Sequence, residues 1–426
     1  MDIELKNLKG TCDFLPEEQI LRNNIVATLR QNFEKYGYLP LETPMLNYFD
    51  LLKYKYQEGA EILTEVYKLK DQGNRDLGLR YDLTVPFCKV IGLNKDLPMP
   101  FRRYEIGKVF RNGPVKLGRA REFYQCDIDV VGVSGRLIEA EQMVMVKDVF
   151  AELNIPVVIK WNNRKLMSGL LEVAGVTENL VADAIGLIDR MNKISKAELV
   201  LEFGKIGIDE QQVNNILDLF SKTLEEYKQV FEATENSNIK QGLEELTELQ
   251  ELINKLDMQD TCEFSPTLAR GLSIYTGTVF EFFDKQKRIS SSLGGGGRYD
   301  KIITEFMNNG QEYPAVGLCF GLEPIFALLE KTKQKNLVDV FVIPMGTEVE
   351  CLKLASSLRA SGLNVLLETN KRKVKKSFDY ANKVDIKYVI VVGSNELESG
   401  RFALKNMQTG EQTDVTLEEM LKILKG

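Results

Sequence analysis

The 426-residue chain contains no histidine. An imidazole base, a Ser–His or Cys–His nucleophile system and an imidazole metal ligand are therefore all excluded. Any chemistry must run on Arg, Lys, carboxylates, Tyr, backbone dipoles and bound metal. Cysteine is sparse too: the six, at positions 12, 88, 126, 262, 319 and 351, form no CxxC and no close pair. That spacing argues against a disulfide framework or a zinc site, and for a reducing, cytoplasmic setting. Long hydrophobic runs are missing. The opening MDIELKNLKG has no apolar leader segment, and apolar stretches such as 338–344 and 389–392 are strand-length, not membrane-length. No internal repeat or low-complexity tract stands out.

What is present is enough hydrophobic residue, 44%, for more than one well-cored domain in a chain of this length. The net charge of −7 does not exclude nucleic acid, because polyanions respond to local patches. One such patch is evident. Between Arg102 and Arg121 lie seven basic residues and a single acid, Glu105. The sequence then alternates, with Arg121, Phe123, Gln125, Asp127 and Asp129 on one side and Tyr124, Cys126, Ile128 and Val130 on the other. A cationic hairpin running into a strand with one polar face suits a polyanion held beside a small polar ligand. A solvated edge hairpin is the alternative on spacing alone.

Three blocks follow along the chain. In the first, a helix begins after Pro16 with Leu21, Ile25, Leu29 and Phe33 at i+4 spacing and ends near Gly37. An extended stretch punctuated by Pro40 and Pro44 comes next, and a turn at Asp71–Arg75 separates the strands EVYKLK and LGLRYDL. A helical pattern covers Leu137–Leu153. The second block, residues 163–258, reads as charged amphipathic helices (Val213, Ile216, Leu217, Phe220, Leu224) inserted into a strand-rich unit that resumes at Phe264. After the polar linker KTKQKN, the strands VDVFVIP, LNVLLE, IKYVIVVG and RFALKNM alternate with helices as a small α/β unit.

Two more runs carry chemistry. In LARGLSIYTGTVFEFF, period two sets Ser273, Tyr275, Gly277, Val279 and Glu281 on one face. In SSSLGGGGRYD, four successive glycines fit a backbone lying close against a ligand, or else a loose hairpin tip. In AVGLCFGLEPI, Gly317 and Gly321 permit close strand-to-helix packing, but without a GK[ST] ending this is a weak phosphate loop.

These motifs together resemble the class II aminoacyl-tRNA synthetases, and specifically the histidyl-tRNA synthetase family, over nearly the whole chain. KGTCDFLPEE resembles the family's N-terminal KGTRDFLPEE, and the stretch ending in LETP its dimer-forming motif 1. FRNGPVKLGRAREFYQCDIDVVG resembles motif 2; ARGLSIYTGTVFE and GGGGRYD resemble the two histidine-specific signatures. The resemblance implies an α+β fold. A class II antiparallel-sheet catalytic core (1–162 and 259–330) is split by a helical insertion (163–258), and a linker and α/β anticodon-binding domain (331–426) follow. It implies ligation of L-histidine to tRNA(His) through a histidyl-adenylate, with ATP as substrate, Mg²⁺ bound with ATP, and a cytoplasmic homodimer.

The roles implied residue by residue are these. Arg111 and Arg270 are catalytic, meeting the α-phosphate and the carboxylate from two sides, with Arg270 in a role that other class II enzymes give to a metal. Asp82, Thr84 and Gln125 grip the α-ammonium, Asp129 and Tyr275 take the two imidazole nitrogens, and Ile274 lines the same site. Gln125 and Asp129 are four residues apart, roughly 13 Å along a strand, which fits an amino acid held at both ends. Arg121 and Glu323 join Arg111 at ATP. Lys116, Arg119 and Arg121 meet the tRNA acceptor strand, and Lys371, Arg372, Lys373, Lys375 and Lys376 the anticodon. Four positions depart from the pattern: Cys12, Ser273, Ile274, and Pro324 in place of the motif 3 arginine that stacks on adenine. The departures leave open a non-catalytic paralogue, either a regulatory subunit of ATP phosphoribosyltransferase or a histidine or tRNA sensor.

Overall fold

The computed structural model describes residues 4–54, 61–115, 119–191, 194–270, 274–330, 336–370 and 372–425. The chain divides into two compact units, residues 1–15 with 19–331, and residues 16–18 with 332–426. Of the linker KTKQKN, only Asn336 lies within the described residues.

An eight-stranded sheet organises the first unit. From edge to edge its strands are Leu39–Pro40, Phe101–Phe110, Glu122–Val131, Ala315–Gly321, Gly294–Arg298, Thr278–Asp284, Val157–Asn163 and Cys262–Phe264. The two outermost pairings are parallel and all those between are antiparallel. Glu122–Val131 is therefore a central strand, paired on both sides, and not the solvated edge that spacing alone left open.

Its two faces have different fates, as the period of two requires. Cys126, Ile128 and Val130 enter the main hydrophobic cluster with Phe280, Phe282, Val316 and Phe320. Leu21, Ile25, Leu29 and Phe33 of helix Pro16–Lys35, and Met143, Val146 and Phe150 of helix Leu137–Glu152, pack into the same cluster. Each such side chain contributes about 1.5–3 kcal/mol on burial, which is what holds this face closed. The opposite face carries Gln125, Asp127 and Asp129, and it is the face left for chemistry.

Register lines that polar face up in rows. One row runs Arg103, Asp129, Gly317, Gly297, Val279; the next runs Glu105, Asp127, Cys319, Gly295, Glu281. Directly opposed residues on an antiparallel pair share a face, so each row is a line of neighbours. The glycine run is thus an interior strand and not a hairpin tip. Crowding explains its composition: a Cβ on Gly296 would collide with the Gly317 carbonyl, and one on Gly294 with the Cys319 carbonyl.

A small three-stranded sheet (Leu46–Tyr48, Asp76–Leu79, Lys68–Lys70) carries the chain to this face. Its turn at Asp71–Arg75 puts Asn74 at φ 59°, a conformation that Asn tolerates. Arg80 then anchors the crossing: its Nη1 donates to Glu105 Oε1 at 2.7 Å and to the Thr43 carbonyl at 2.6 Å. Gly107 leaves the room that this guanidinium fills.

The second sequence block forms the helices Arg164–Val173, Glu178–Ile188, Lys196–Lys205, Glu210–Leu219, Leu224–Val230 and Ser237–Lys255. Capping boxes open three of them, at Ser195/Glu198, Asp209/Gln212 and Thr223/Glu226. Gly242 allows Ser237–Lys255 to lie directly on Arg164–Val173, because a Cβ there would strike the Leu166 backbone. Ile185, Phe203, Ile216 and Leu249 of these helices belong to the same buried cluster as the sheet.

The second unit is a five-stranded sheet in the order Val365–Leu367, Val340–Pro344, Tyr388–Val392, Arg401–Asn406, Gln412–Thr416. Its first three strands are parallel and its last two antiparallel. Helices Glu348–Ala360, Val374–Lys383 and Leu417–Lys425 accompany it.

Candidate active site

Two adjoining cavities open on the polar face of the large sheet. The first is lined by Asp82, Thr84, Arg111, Gln125, Asp127, Asp129, Arg270, Ile274, Tyr275 and Tyr299, over a floor of Gly295, Gly296, Gly317 and Cys319. The second is lined by Arg111, Arg119, Phe123, Tyr124, Gln125, Arg270, Ser292, Glu323 and Pro324. Arg111, Gln125, Arg270, Gly295 and Cys319 belong to both walls. Two guanidinium groups therefore stand where the cavities meet.

Their placement is local chemistry. Arg111 follows directly on strand Phe101–Phe110; its Nε donates to the Tyr81 carbonyl at 3.1 Å and its guanidinium carbon lies 5.2 Å from the Phe123 ring centre. Arg270 occupies space that only glycine leaves open, since a Cβ on Gly295 would collide with its guanidinium. Its guanidinium carbon is 5.7 Å from the Tyr275 ring centre. Burial alone would lower the Arg270 pKa, but Tyr275, Glu281 and Cys319 more than compensate and the group stays cationic. Gly297 makes room in the same way for the Tyr275 ring, and Gly317 for the Asp129 carboxylate.

The far end of the first cavity is a buried charge cluster. Asp129, 3% exposed, pairs with Arg103 Nη2 at 2.5 Å and accepts a hydrogen bond from the Tyr299 hydroxyl. Arg103 is fully buried, donates to the Leu83 carbonyl at 3.2 Å and lies 4.4 Å over the Phe87 ring. Burial would lower its pKa, but Asp129, Asp127 and Glu105 hold it up. Burial, with Asp129 beside it, pushes the Tyr299 phenol far above its usual range, so Tyr299 remains a donor. Asp127 is driven up to about 7, chiefly by burial, with Asp129 and Asp82 adding to the effect and Arg103 and the Cys319 thiol opposing it. At the near end, Asp82 Oδ1 accepts from the Val85 backbone N–H at 3.0 Å, where helix Thr84–Leu93 begins.

Asp82, Thr84, Arg111, Gln125, Asp129, Arg270, Ile274 and Tyr275, all expected around the amino acid, are brought together in the first cavity. The nucleotide expectations divide. Glu323 lines the second cavity, but its carboxylate is engaged by Arg22 at 2.5 and 3.0 Å and by the Tyr124 backbone N–H at 3.1 Å. Arg121, expected at ATP, lines neither cavity: it precedes the strand, and its Nε donates to the Gly113 carbonyl at 3.2 Å. Arg119, expected only at tRNA, lines the second cavity and pairs with Glu65 at 3.0 Å. Pro324 lines it as well.

Arg372 is half-buried, 3.6 Å from Glu368 and 4.5 Å from the Tyr380 ring centre, while Lys373, Lys375 and Lys376 are exposed. Lys116, Lys371 and Ser273 lie outside the described residues. Sequence reasoning gave no role to Arg103, Tyr299, Cys319 or Asp127. Asp127 was legible as part of the polar face and Tyr299 as part of GGGGRYD; Arg103 and Cys319 become visible only through cross-strand register.

A family model described as histidyl-tRNA synthetase matches residues 10–325, and one described as an anticodon binding domain matches residues 339–426. Histidine–tRNA ligase 1 of Bacillus cereus is 45% identical over 428 residues, covering 99% of this chain and 100% of that protein. Histidine–tRNA ligase 2 of Shouchella clausii is 44% identical over 97% of this chain and 98% of that protein. Among solved structures, a histidyl-tRNA synthetase from Nostoc sp. PCC 7120 aligns with a TM-score of 0.86 at 30% identity, covering 100% of this chain and 99% of that one. A protein from Bacillus halodurans described as an ATP phosphoribosyltransferase regulatory subunit/histidyl-tRNA synthetase aligns with a TM-score of 0.78 over 92% of this chain and 100% of that one. At 20% identity, that likeness shows the fold alone.

Proposed function

The chain belongs to the histidyl-tRNA synthetase family, and from that premise we propose that it ligates L-histidine to tRNA(His) in two steps, both run in the paired cavities. First, the histidine carboxylate attacks the α-phosphorus of ATP, giving histidyl-adenylate and diphosphate. A ribose hydroxyl at the tRNA 3′ end then attacks the acyl carbon, and AMP leaves.

The observation that carries this reading is the shared wall: Arg111 and Arg270 line both cavities. Bringing a carboxylate to a phosphate is opposed by repulsion between anions. Two fixed guanidinium groups at the junction meet that charge as it develops, without reorganising at the moment of reaction. The attacking carboxylate is already ionised at neutral pH, so this step needs no protein base. The absence of histidine is no obstacle to it.

The first cavity is assigned to the amino acid. Asp82, Thr84 and Gln125 receive the α-ammonium, Asp129 and Tyr275 the imidazole, and Ile274 completes the wall. Arg103 and Tyr299 fix the Asp129 carboxylate in orientation. A site built to hydrogen-bond both ring nitrogens rejects ring-less competitors by about 10⁴–10⁵-fold. The second cavity is assigned to ATP, with Arg119 and Glu323 at its wall and Pro324 in place of a stacking cation. Mg²⁺ enters with ATP, held by the phosphate oxygens as part of the substrate.

Residues 1–162 and 259–330 form the catalytic core, 163–258 the insertion and 331–426 the anticodon-binding part. The acceptor strand of tRNA follows the basic segment around Arg119 and Arg121. Lys373, Lys375 and Lys376 support an anticodon contact: cations at the start of helix Val374–Lys383 oppose its dipole, so they do not serve the helix. Exposed Leu39, Met45, Leu46 and Tyr48 support a homodimer formed through the segment after the first helix. Free cysteines at all six positions fit the cytoplasm. The regulatory alternative is weaker, because both arginines and the anticodon-binding match are retained. Charging of total tRNA tests the reading: acid-precipitable label is expected with L-histidine and no other amino acid, and no charging with L-histidine would overturn it.

A further inference from the structure

Gln125 and Asp127 are neighbours on one face of strand Glu122–Val131, and both line the first cavity. Among the described residues, Gln125 Oε1 and Asp127 Oδ1 are buried side-chain atoms without a hydrogen-bond partner. Asp127 is only 5% exposed. An acceptor left this way in a native site is costly unless something arrives to use it. Asp127 already takes the Cys319 thiol, while Asp129 is held by Arg103 and Tyr299, Glu105 by Arg80 and Thr43, and Asp82 by the Val85 N–H.

We propose that Asp127 is a further substrate-binding residue, accepting a hydrogen bond from the α-ammonium of the bound amino acid beside Gln125 Oε1. The proposal rests on reading this cavity as the amino-acid site. Its position on the strand supports the assignment, because Asp127 lies between the end gripped by Gln125 and the end closed by Asp129. An ammonium offers three donors, which Asp127 would share with Asp82, Thr84 and Gln125; Asp82 Oδ1 is already engaged at the helix start, whereas Gln125 Oε1 and Asp127 Oδ1 have no partner.

A pH signature follows. The groups facing Asp127 are Arg103 and Glu105 from one neighbouring strand, Cys319 from the other, Asp129 from its own strand and Asp82 from the crossing segment. In that setting the carboxyl titrates at about 7, so the unliganded protein at lower pH holds a proton there. The ammonium must displace it. Only the ionised fraction is competent, and that fraction falls about tenfold between pH 8 and pH 6.

The test is titration of wild type and Asp127→Asn with L-histidine at pH 6, 7 and 8, with ATP titrated separately. The substitution is expected to weaken L-histidine binding about 10- to 100-fold at pH 8, the range of a charged hydrogen bond. The difference from wild type should shrink about tenfold by pH 6, with ATP affinity unchanged. Histidine's own titration is common to both proteins and cancels in the ratio. A ratio constant across pH, or an equal loss for ATP, would overturn the proposal while leaving the amino-acid site in place. If wild type binds no L-histidine at any pH, the reading of the cavity fails and the proposal with it. Should the variant not fold, the infrared difference spectrum of wild type on adding L-histidine at pH 6.5 decides. Loss of a protonated-carboxyl band is expected, and an unchanged band overturns the proposal.

Discussion

Arg103 and Asp129 stand directly opposite each other on adjacent strands, and their side chains meet at 2.5 Å with both groups buried. Asp129 lines the first cavity, so on the reading proposed above the pair orients a recognition group as well as joining two strands. Replacing one partner of a buried pair leaves the other charge stranded. Arg103→Met should cost about 3–5 kcal/mol of stability. Urea denaturation checks this, and a loss no larger than that of a surface substitution would remove the pair from the structural account.

Tyr299→Phe removes only the hydroxyl that donates to Asp129. A hydrogen bond to a charged group is worth about 1.5–3 kcal/mol. KM for L-histidine should rise by roughly one to two orders of magnitude while KM for ATP stays put. Steady-state kinetics with each substrate varied in turn separates this from general damage, which would raise both.

Gly295→Ala places a methyl where the Arg270 guanidinium lies, and within 2.6 Å of the Phe280 carbonyl oxygen. Adenylate formation should fall about 10²- to 10³-fold, the scale of losing one electrostatic contact to the transition state. Because the glycine acts through Arg270, Gly295→Ala and Arg270→Ala should be strongly non-additive. Additive losses in the double variant would show that the glycine has a separate role.

Pro324→Arg puts a planar cation at the wall of the second cavity, the one assigned above to ATP. A desolvated stacking contact of about 1–2 kcal/mol corresponds to a five- to thirty-fold lower KM for ATP. The KM for L-histidine should not change. An unchanged or raised KM for ATP would mean that Phe123, Tyr124 and Arg119 already hold the adenine without it.

Asp127 also predicts a trade between stability and function. Its folded pKa of about 7 lies above the unfolded carboxylate value, so the folded state binds the extra proton between the two. Stability therefore falls as pH rises through that window, by at most a few kcal/mol. Asp127→Asn should raise the melting temperature relative to wild type at pH 8, and the gain should fade towards pH 4. A gain of equal size at both pH values would argue against a raised carboxyl.

Much of this site could be read along the chain because its logic is local. Period two placed Gln125, Asp127 and Asp129 on one face, and the helix signals around Leu21–Phe33 reappear in helix Pro16–Lys35. The remainder depends on pairing between distant residues. That Asp129 meets Arg103 and that Cys319 lies beside Asp127 are matters of register, which sequence does not display. The glycine run has no side chains, so no alternation could mark it as a strand. The Arg22–Glu323 pair spans 301 residues and depends on the whole fold. The strand begins at Glu122, one residue later than the alternation from Arg121 implied.

The most direct test is histidine-dependent ATP–diphosphate exchange in wild type, Arg111→Ala and Arg270→Ala. If two guanidinium groups at the junction of the cavities lower the barrier to adenylate formation, wild type exchanges only with L-histidine present, and each variant loses at least about 10²-fold in rate. Exchange at near wild-type rate in either variant, or none in a wild type that binds both substrates, would contradict that claim.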